Sequence, residues 1–250
     1  MRRESPDLRG VGASGFDGPT VHHRLTDSTN DRARELALTG APSGTVVVAS
    51  EQTAGRGRTG RKWSASANSA LLCSAILRPL EAHHSLLPLA VPLAVCEAAE
   101  ALAPVECQVK WPNDVWLEER KLAGVLIEAR PPEWAVIGVG LNLSIPDDGF
   151  PADLRWPATS LGHGVEAGDA LEALRVALGR WTAAGPKEVV AAFAERDALS
   201  GRDVGWDAAG GSNVSGAGRA AGVDSRGNLV VVTDAGERVY LGAGEVSLRL

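Results

Sequence analysis

An unbroken apolar segment, Thr45-Val46-Val47-Val48-Ala49-Ser50, runs straight into Glu51-Gln52-Thr53-Ala54-Gly55-Arg56-Gly57-Arg58-Thr59-Gly60-Arg61-Lys62-Trp63. The first piece is rich in β-branched residues and too short for a helix, so it reads as a buried strand. The second packs four cations and three glycines into residues 55–62 and ends on a tryptophan. Glycines free the backbone to move and to approach a ligand closely. Arginines present planar, permanently charged forks suited to phosphate. A mobile cationic loop carried on a buried strand can clamp a phosphorylated, reactive species; it can also be a solvated charge run.

Three standard readings of that loop fail or weaken. Gly55, Gly57 and Gly60 satisfy G-x-G-x-x-G, but a dinucleotide fingerprint needs an apolar helix opening within the turn, and Arg61-Lys62-Trp63-Ser64 is no helix start. A Walker A loop needs Gly-Lys-Ser/Thr, and Gly60 is followed by Arg61, Lys62 and Trp63. A nucleic-acid-binding patch is opposed by a formal net charge of −6 and an aromatic content of 4%.

The 250 residues, 44% hydrophobic, suffice for a large domain or a main domain with a small one. The apolar stretch 86–96 is too short to span a bilayer and is interrupted by Pro88 and Pro92. The first twenty residues are polar and Gly-rich, without the apolar core of a signal peptide. Cys73, Cys96 and Cys107 are odd in number and widely spaced. They support neither a disulfide framework nor a metal site, so a reduced, cytoplasmic protein is expected.

Residues 1–19 read as a disordered tail and 20–24 as a short strand. Ser28 is placed to cap a helix whose apolar face is Ala33, Leu36 and Ala37 and which Gly40 ends. Strands are expected at 45–50, 70–77 and 108–111, the last stopped by Pro112. The segments 124–129 and 134–143 form a hairpin about Pro131-Pro132-Glu133. Helices are expected at 85–102, 169–182 and 186–199. After Gly201, short Val-containing runs alternate with Gly-rich turns, the signature of a small all-β unit. The expected architecture is an α+β domain over 20–200, mostly antiparallel, followed by a small barrel over 201–250.

Three further segments carry chemistry. Lys110-Trp111-Pro112-Asn113-Asp114 sets an amide and a carboxylate at a strand end, where they can orient a nucleophile or hold Mg²⁺ beside a phosphate; the same residues are also ordinary turn formers. Lys121-Leu122-Ala123-Gly124 puts a point charge at the mouth of a strand, suited to a carboxylate or to charge developing on an acyl phosphate, or simply snorkelling from a sheet edge. Gly138-Val139-Gly140-Leu141-Asn142 places glycines inside a strand, marking close approach of a ligand or another backbone, or a bulge. Together the segments supply what acyl-adenylate chemistry needs: a held carboxylate, cations for the leaving pyrophosphate, and a closing loop that excludes water.

In order and spacing these segments, with Ser28-Thr29-Asn30, resemble the motifs of bacterial biotin–protein ligases, and Gly244-Glu245-Val246-Ser247-Leu248-Arg249 resembles that family's closing motif. The resemblance implies a catalytic core similar to class II aminoacyl-tRNA synthetases with an SH3-like barrel behind it. It implies that biotin and MgATP give biotinyl-5′-AMP, which is attacked by a lysine of a biotin carboxyl carrier protein. By position, Ser28, Thr29, Asn30, Gln52, Arg56, Gly57, Arg58, Lys121 and Gly124 would bind biotin. Arg58, Arg61, Trp63, Asn113, Lys121 and Asn142 would bind ATP, and Lys121, Arg58 and Asp114 would carry the catalysis. Family members that act as repressors carry a helix-turn-helix ahead of this core; about 20 polar residues cannot form one, so no nucleic-acid partner is expected. Leu72 stands where the family has an aromatic, which alters the expected pocket wall. A lipoate or octanoate ligase is the alternative within the same chemistry, and a non-catalytic nucleic-acid-binding module the alternative outside it.

Overall fold

All eight residues of one strand and all nine of another are buried, so both their faces must be covered. These are β3 (Ala70–Leu77) and β7 (Trp134–Asn142), hydrogen-bonded along their whole length in a computed structural model that describes residues 16–162, 164–208, 215–243 and 246–249. Around them lie β1 (Thr20–His23), β2 (Val46–Ala49), β4 (Gln108–Lys110), β5 (Asp114–Leu117) and β6 (Arg120–Arg130), in the order β1-β2-β3-β7-β6-β5-β4. Among these seven strands only β1 and β2 pair in parallel. A parallel pair needs a crossover, which α1 (Thr29–Leu38) supplies while setting Ala33 and Ala37 on Val47, Ile76, Trp134 and Val136.

The opposite face is covered by α2 (Leu87–Leu102), α3 (Ala167–Ala183) and α4 (Pro186–Arg196). Pro88 sits in the first turn of α2, where its missing N–H costs nothing. With the turn before it, this helix is long and apolar enough to cross a membrane, yet most of it is buried against the sheet and α3. It is the core helix of the fold.

Three expectations change. Residues 1–15 lie outside the described ones, but 16–19 are packed. Phe16 is fully buried, Arg175 donates to the Phe16 carbonyl, and Pro19 O accepts from Val46 N–H at 2.9 Å. Ser28 occupies the N-cap of α1 without capping it by its side chain; Gln52 Oε1 instead accepts the Thr29 N–H at 2.7 Å. Beyond Pro112 the chain forms β5 and then turns through Glu118 and Glu119, both left-handed (φ 50° and 61°), into β6. Tight hairpins need that conformation but normally announce it with Asn or Gly.

From residue 203 onward β8 (Asp203–Ala208), β9 (Gly216–Val223), β10 (Leu229–Val232), β11 (Arg238–Leu241) and β12 (Val246–Arg249) form an antiparallel sheet in the order β11-β10-β9-β8-β12. Among the described residues β11 and β12 do not pair with each other, so the hydrogen-bonded order is open rather than a closed barrel. Its Val204, Trp206, Leu229, Val231 and Leu241 join the same apolar core as Leu86, Leu89 and Trp111.

Candidate active site

The site is built on β6 and β7, where Gly124 and Gly140 face each other in register. A Cβ on Gly140 would stand 2.4 Å from Trp63 Cε2, and one on Gly124 would stand 2.9 Å from Trp63 Cζ3. The two glycines therefore form a slot that the Trp63 indole fills. Gly138 is likewise required, because a Cβ there would meet Asn30 Oδ1 at 1.9 Å. What approaches the glycine-bearing strand is thus a pair of side chains from other elements.

The cationic loop folds back on itself. Gly57 N–H donates to Arg61 O at 2.8 Å and Trp63 N–H to Gly55 O at 2.9 Å, around a tip whose Thr59 and Gly60 are left-handed. Arg56 donates to Asp31 Oδ1 at 2.9 Å and lies 3.1 Å from Glu128 Oε1, so it fastens the loop to α1 and β6. Arg58 donates to Asn113 Oδ1 at 3.1 Å and to the Ala243 carbonyl, while burial pulls its pKa below the ordinary arginine value.

One wall is the start of α1. Ser28, Thr29 and Asn30 are buried there. Ser74 Oγ donates to Asn30 Oδ1 at 2.7 Å and lies 2.9 Å from Thr29 Oγ1, and Asn30 Nδ2 donates to Glu128 Oε2 at 3.1 Å. A buried amide so fully engaged presents a fixed edge to the pocket. Sequence reading missed Ser74 and Glu128; a lone hydroxyl in an otherwise apolar buried strand was the available signal, since such a group needs a partner.

The other end is charged. Lys121 Nζ pairs with Asp114 Oδ1 at 2.6 Å and sits 5.5 Å from the Trp63 ring centroid. Lys121 is fixed by the segment after β7: its N–H donates to Pro157 O at 2.7 Å and its carbonyl accepts from Thr159 N–H at 2.9 Å. Lys110 is buried between two indoles, 4.9 Å from Trp156 and 5.5 Å from Trp116, and burial pushes its pKa down to about 8 against the pull of Asp114. Asn142 is buried and donates to Thr159 O at 2.9 Å, so this amide helps hold the wall.

One pocket is lined by Ser28, Thr29, Asn30, Gln52, Arg56, Gly57, Arg58, Arg61, Trp63, Asn113, Asp114, Lys121, Gly124 and Asn142, the residues that the resemblance gives a biotin, ATP or catalytic role, while Lys110 and Trp111 of the same motif do not line it. Leu72 is part of its wall. Phe150, Leu154, Arg155 and Trp156 complete it from the segment between β7 and α3, which carried no motif. Gly244 and Glu245 of the closing motif lie outside the described residues. Among the described residues no three His, Cys, Asp or Glu side chains converge as a metal site.

Comparison with known proteins agrees with this geometry. Residues 22–142 match the model of the biotin/lipoate A/B protein ligase family, and residues 210–249 match the biotin protein ligase C-terminal domain. A biotin–[acetyl-CoA-carboxylase] ligase of Mycobacterium tuberculosis is 37% identical over 238 residues, covering 88% of this chain and 85% of that protein. The bifunctional ligase/repressor BirA of Bacillus spizizenii is 39% identical over 150 residues, and the match spans 46% of its length and 57% of this chain. The chain thus spans about half the length of the Bacillus relatives it matches. A biotin protein ligase of Aquifex aeolicus, solved with biotin and ATP, superposes with a TM-score of 0.78 at 28% identity over 92% of this chain and 98% of that one. The chain belongs to the biotin/lipoate A/B protein ligase family.

Proposed function

We propose that the protein is a biotin–protein ligase, which activates biotin with MgATP and transfers it to a lysine of a biotin carboxyl carrier protein. The observation that carries this reading is the 2.6 Å Lys121–Asp114 ion pair, set in one pocket with Arg58 and Trp63 of the folded loop. Biotin lies with its ring system toward Ser28, Thr29, Asn30 and Gln52 and its carboxylate toward Lys121. One carboxylate oxygen attacks the α-phosphorus of ATP and pyrophosphate leaves. Lys121 exchanges Asp114 for the substrate and steadies the negative charge as it builds, with Arg58 on the phosphate side. Asp114, released from its partner, then accepts a proton from the ε-amine of the carrier lysine as that nitrogen attacks the acyl carbon and AMP departs. Arg61, Trp63 and Asn142 stand at the nucleotide end. The loop excludes water from the mixed anhydride until the carrier arrives.

Mg²⁺ would come with the nucleotide and would screen the phosphate charge; Asn113 and Asp114, which line the pocket, are the oxygen donors on this chain that would hold it. Residues 20–200 carry the site and 201–250 the smaller β unit. Three buried, unpaired cysteines suit a reducing cytoplasm.

The test is direct. Purified protein with MgATP, a carrier domain and either biotin or lipoate is followed by the intact mass of the carrier. The expected outcome is a biotin adduct and no lipoyl adduct; a lipoyl adduct alone moves the assignment to the sister activity. Lys121→Ala is expected to lower biotin-dependent pyrophosphate exchange by a factor of about 10²–10³, the scale of losing one charge-stabilising donor. Exchange near the wild-type rate would show that Lys121 does not touch the reacting groups.

A further inference from the structure

The smaller β unit reaches the site at two points. The turn between β9 and β10 is built on Asp224, which accepts the N–H groups of Arg226 (2.8 Å) and Asn228 (2.9 Å). That turn presents Gly227 O to the indole N–H of Trp111 at 3.0 Å. Trp111 is fully buried and immediately precedes Pro112-Asn113, and Asn113 is itself pinned, donating to Val125 O at 2.9 Å and accepting from Val125 N–H through its own carbonyl at 2.9 Å. Asn113 Oδ1 then receives Arg58. The second point is the Ala243 carbonyl, just beyond β11, which receives the other arm of the same guanidinium. Gly227, Trp111, Asn113, Arg58 and Ala243 therefore close a ring that leaves the β unit at one turn and returns to it at another.

We infer that the C-terminal β unit is the anchor that positions Arg58 over the pocket, with Trp111 as the positioning residue that holds the unit and the Asn113 turn in register. Trp111 does not line the pocket, and its path to the loop among the described residues runs through Asn113 and Ala243. The chemical consequence, retention of the adenylate, rests on the ligase reading given above; the mechanical consequence does not.

The two are separated by working first on the ligand-free full-length protein. Trp111→Phe keeps an aromatic ring in the core while deleting the N–H that reaches Gly227 O together with part of the indole's buried volume, so it is paired with a variant that spares the core. Trypsin cleavage within residues 56–62 is compared with cleavage at the exposed Arg24, since local opening of a loop is read by its own proteolysis. Loop cleavage is expected to rise about three- to tenfold, with cleavage at Arg24 unchanged. Asp224→Ala, which loosens the turn without touching the core, is expected to act in the same direction. In an Arg58→Gln background Trp111→Phe is expected to add nothing, because the arm that it positions is gone. Equal loop cleavage in wild type and Trp111→Phe, or additive effects with Arg58→Gln, would overturn the inference. With MgATP and biotin, the same Trp111→Phe variant is expected to label bystander proteins several-fold more than wild type. Absence of any biotin transfer by wild type would instead strike the ligase reading and leave the loop result standing.

Discussion

Lys110 shows how much of a residue's role comes from what the fold brings to it. Its motif placed it beside Asn113 and Asp114, and the fold adds two indoles and burial. Trp116 comes from β5, a strand for which the sequence carried no assigned element, and Trp156 from a segment without a motif, so this environment was not legible. Burial holds the Lys110 pKa at about 8, against an ordinary 10.5. Below pH 8 both folded and unfolded chains carry the charge, and the folded state bears the cost of burying it. Between about pH 8 and 10.5 the folded state sheds its proton while the unfolded chain keeps its own. Stability from this group therefore rises with pH across that window and is flat on either side. At about 1.4 kcal/mol per pKa unit the gain is at most roughly 3 kcal/mol. Urea unfolding of wild type and Lys110→Met at pH 7.5 and 10.5 isolates it, because other titrating groups cancel in the difference. Wild type is expected to gain on the variant by up to that amount, and a pH-independent difference would contradict the burial of a charge at this position.

At the scale of elements, the start of α1 was legible in place and misassigned in chemistry. Ser28 stands where a cap is expected, but Gln52, at the root of the cationic loop, accepts the N–H of Thr29 through its side-chain carbonyl. One side chain thus ties the helix that forms one wall of the pocket to the root of the loop that lines another. A denaturation series separates the two candidates. Gln52→Leu is expected to cost about 1–2 kcal/mol, since it strands a part-buried N–H, whereas Ser28→Ala should cost less than about 0.5 kcal/mol. The reverse order would restore Ser28 as the cap. Strands β2, β3 and β7 and helix α2 were readable because buried elements write themselves as long apolar runs. The β5–β6 hairpin was not, because Glu118 and Glu119 adopt left-handed backbone without the glycine or asparagine that usually signals it. The motif residues were readable as candidates for one pocket, but their contacts were not: nothing local pairs Arg56 with Asp31 and Glu128, and the glycines of β6 and β7 signalled a close approach without naming Trp63 as what approaches.

At the scale of the whole molecule the change in composition near residue 201 suggests a separable unit, because composition registers Gly-rich turns and short strands but not what those strands are buried against. The structure runs one apolar core through both parts, joining Trp206, Leu229 and Leu241 to Leu86, Leu89 and Trp111. Polar links add to it: Trp111 donates to Gly227 O at 3.0 Å, and Arg202 of the smaller unit pairs with Glu119 of the larger. A core shared in this way makes each part's burial conditional on the other, so removing either exposes apolar surface on both and neither retains much stability alone. The chain is therefore expected to unfold as one cooperative unit, with tryptophan fluorescence and far-ultraviolet circular dichroism giving superimposable urea transitions. Amide exchange read by mass spectrometry at increasing urea provides the local version of the measurement. Peptides covering β9 and β10 should lose protection at the same denaturant concentration as those covering β3 and β7. Earlier loss in β9 and β10, with β3 and β7 still protected, would mean that the smaller unit melts on its own and that its hold on Arg58 is a transient contact.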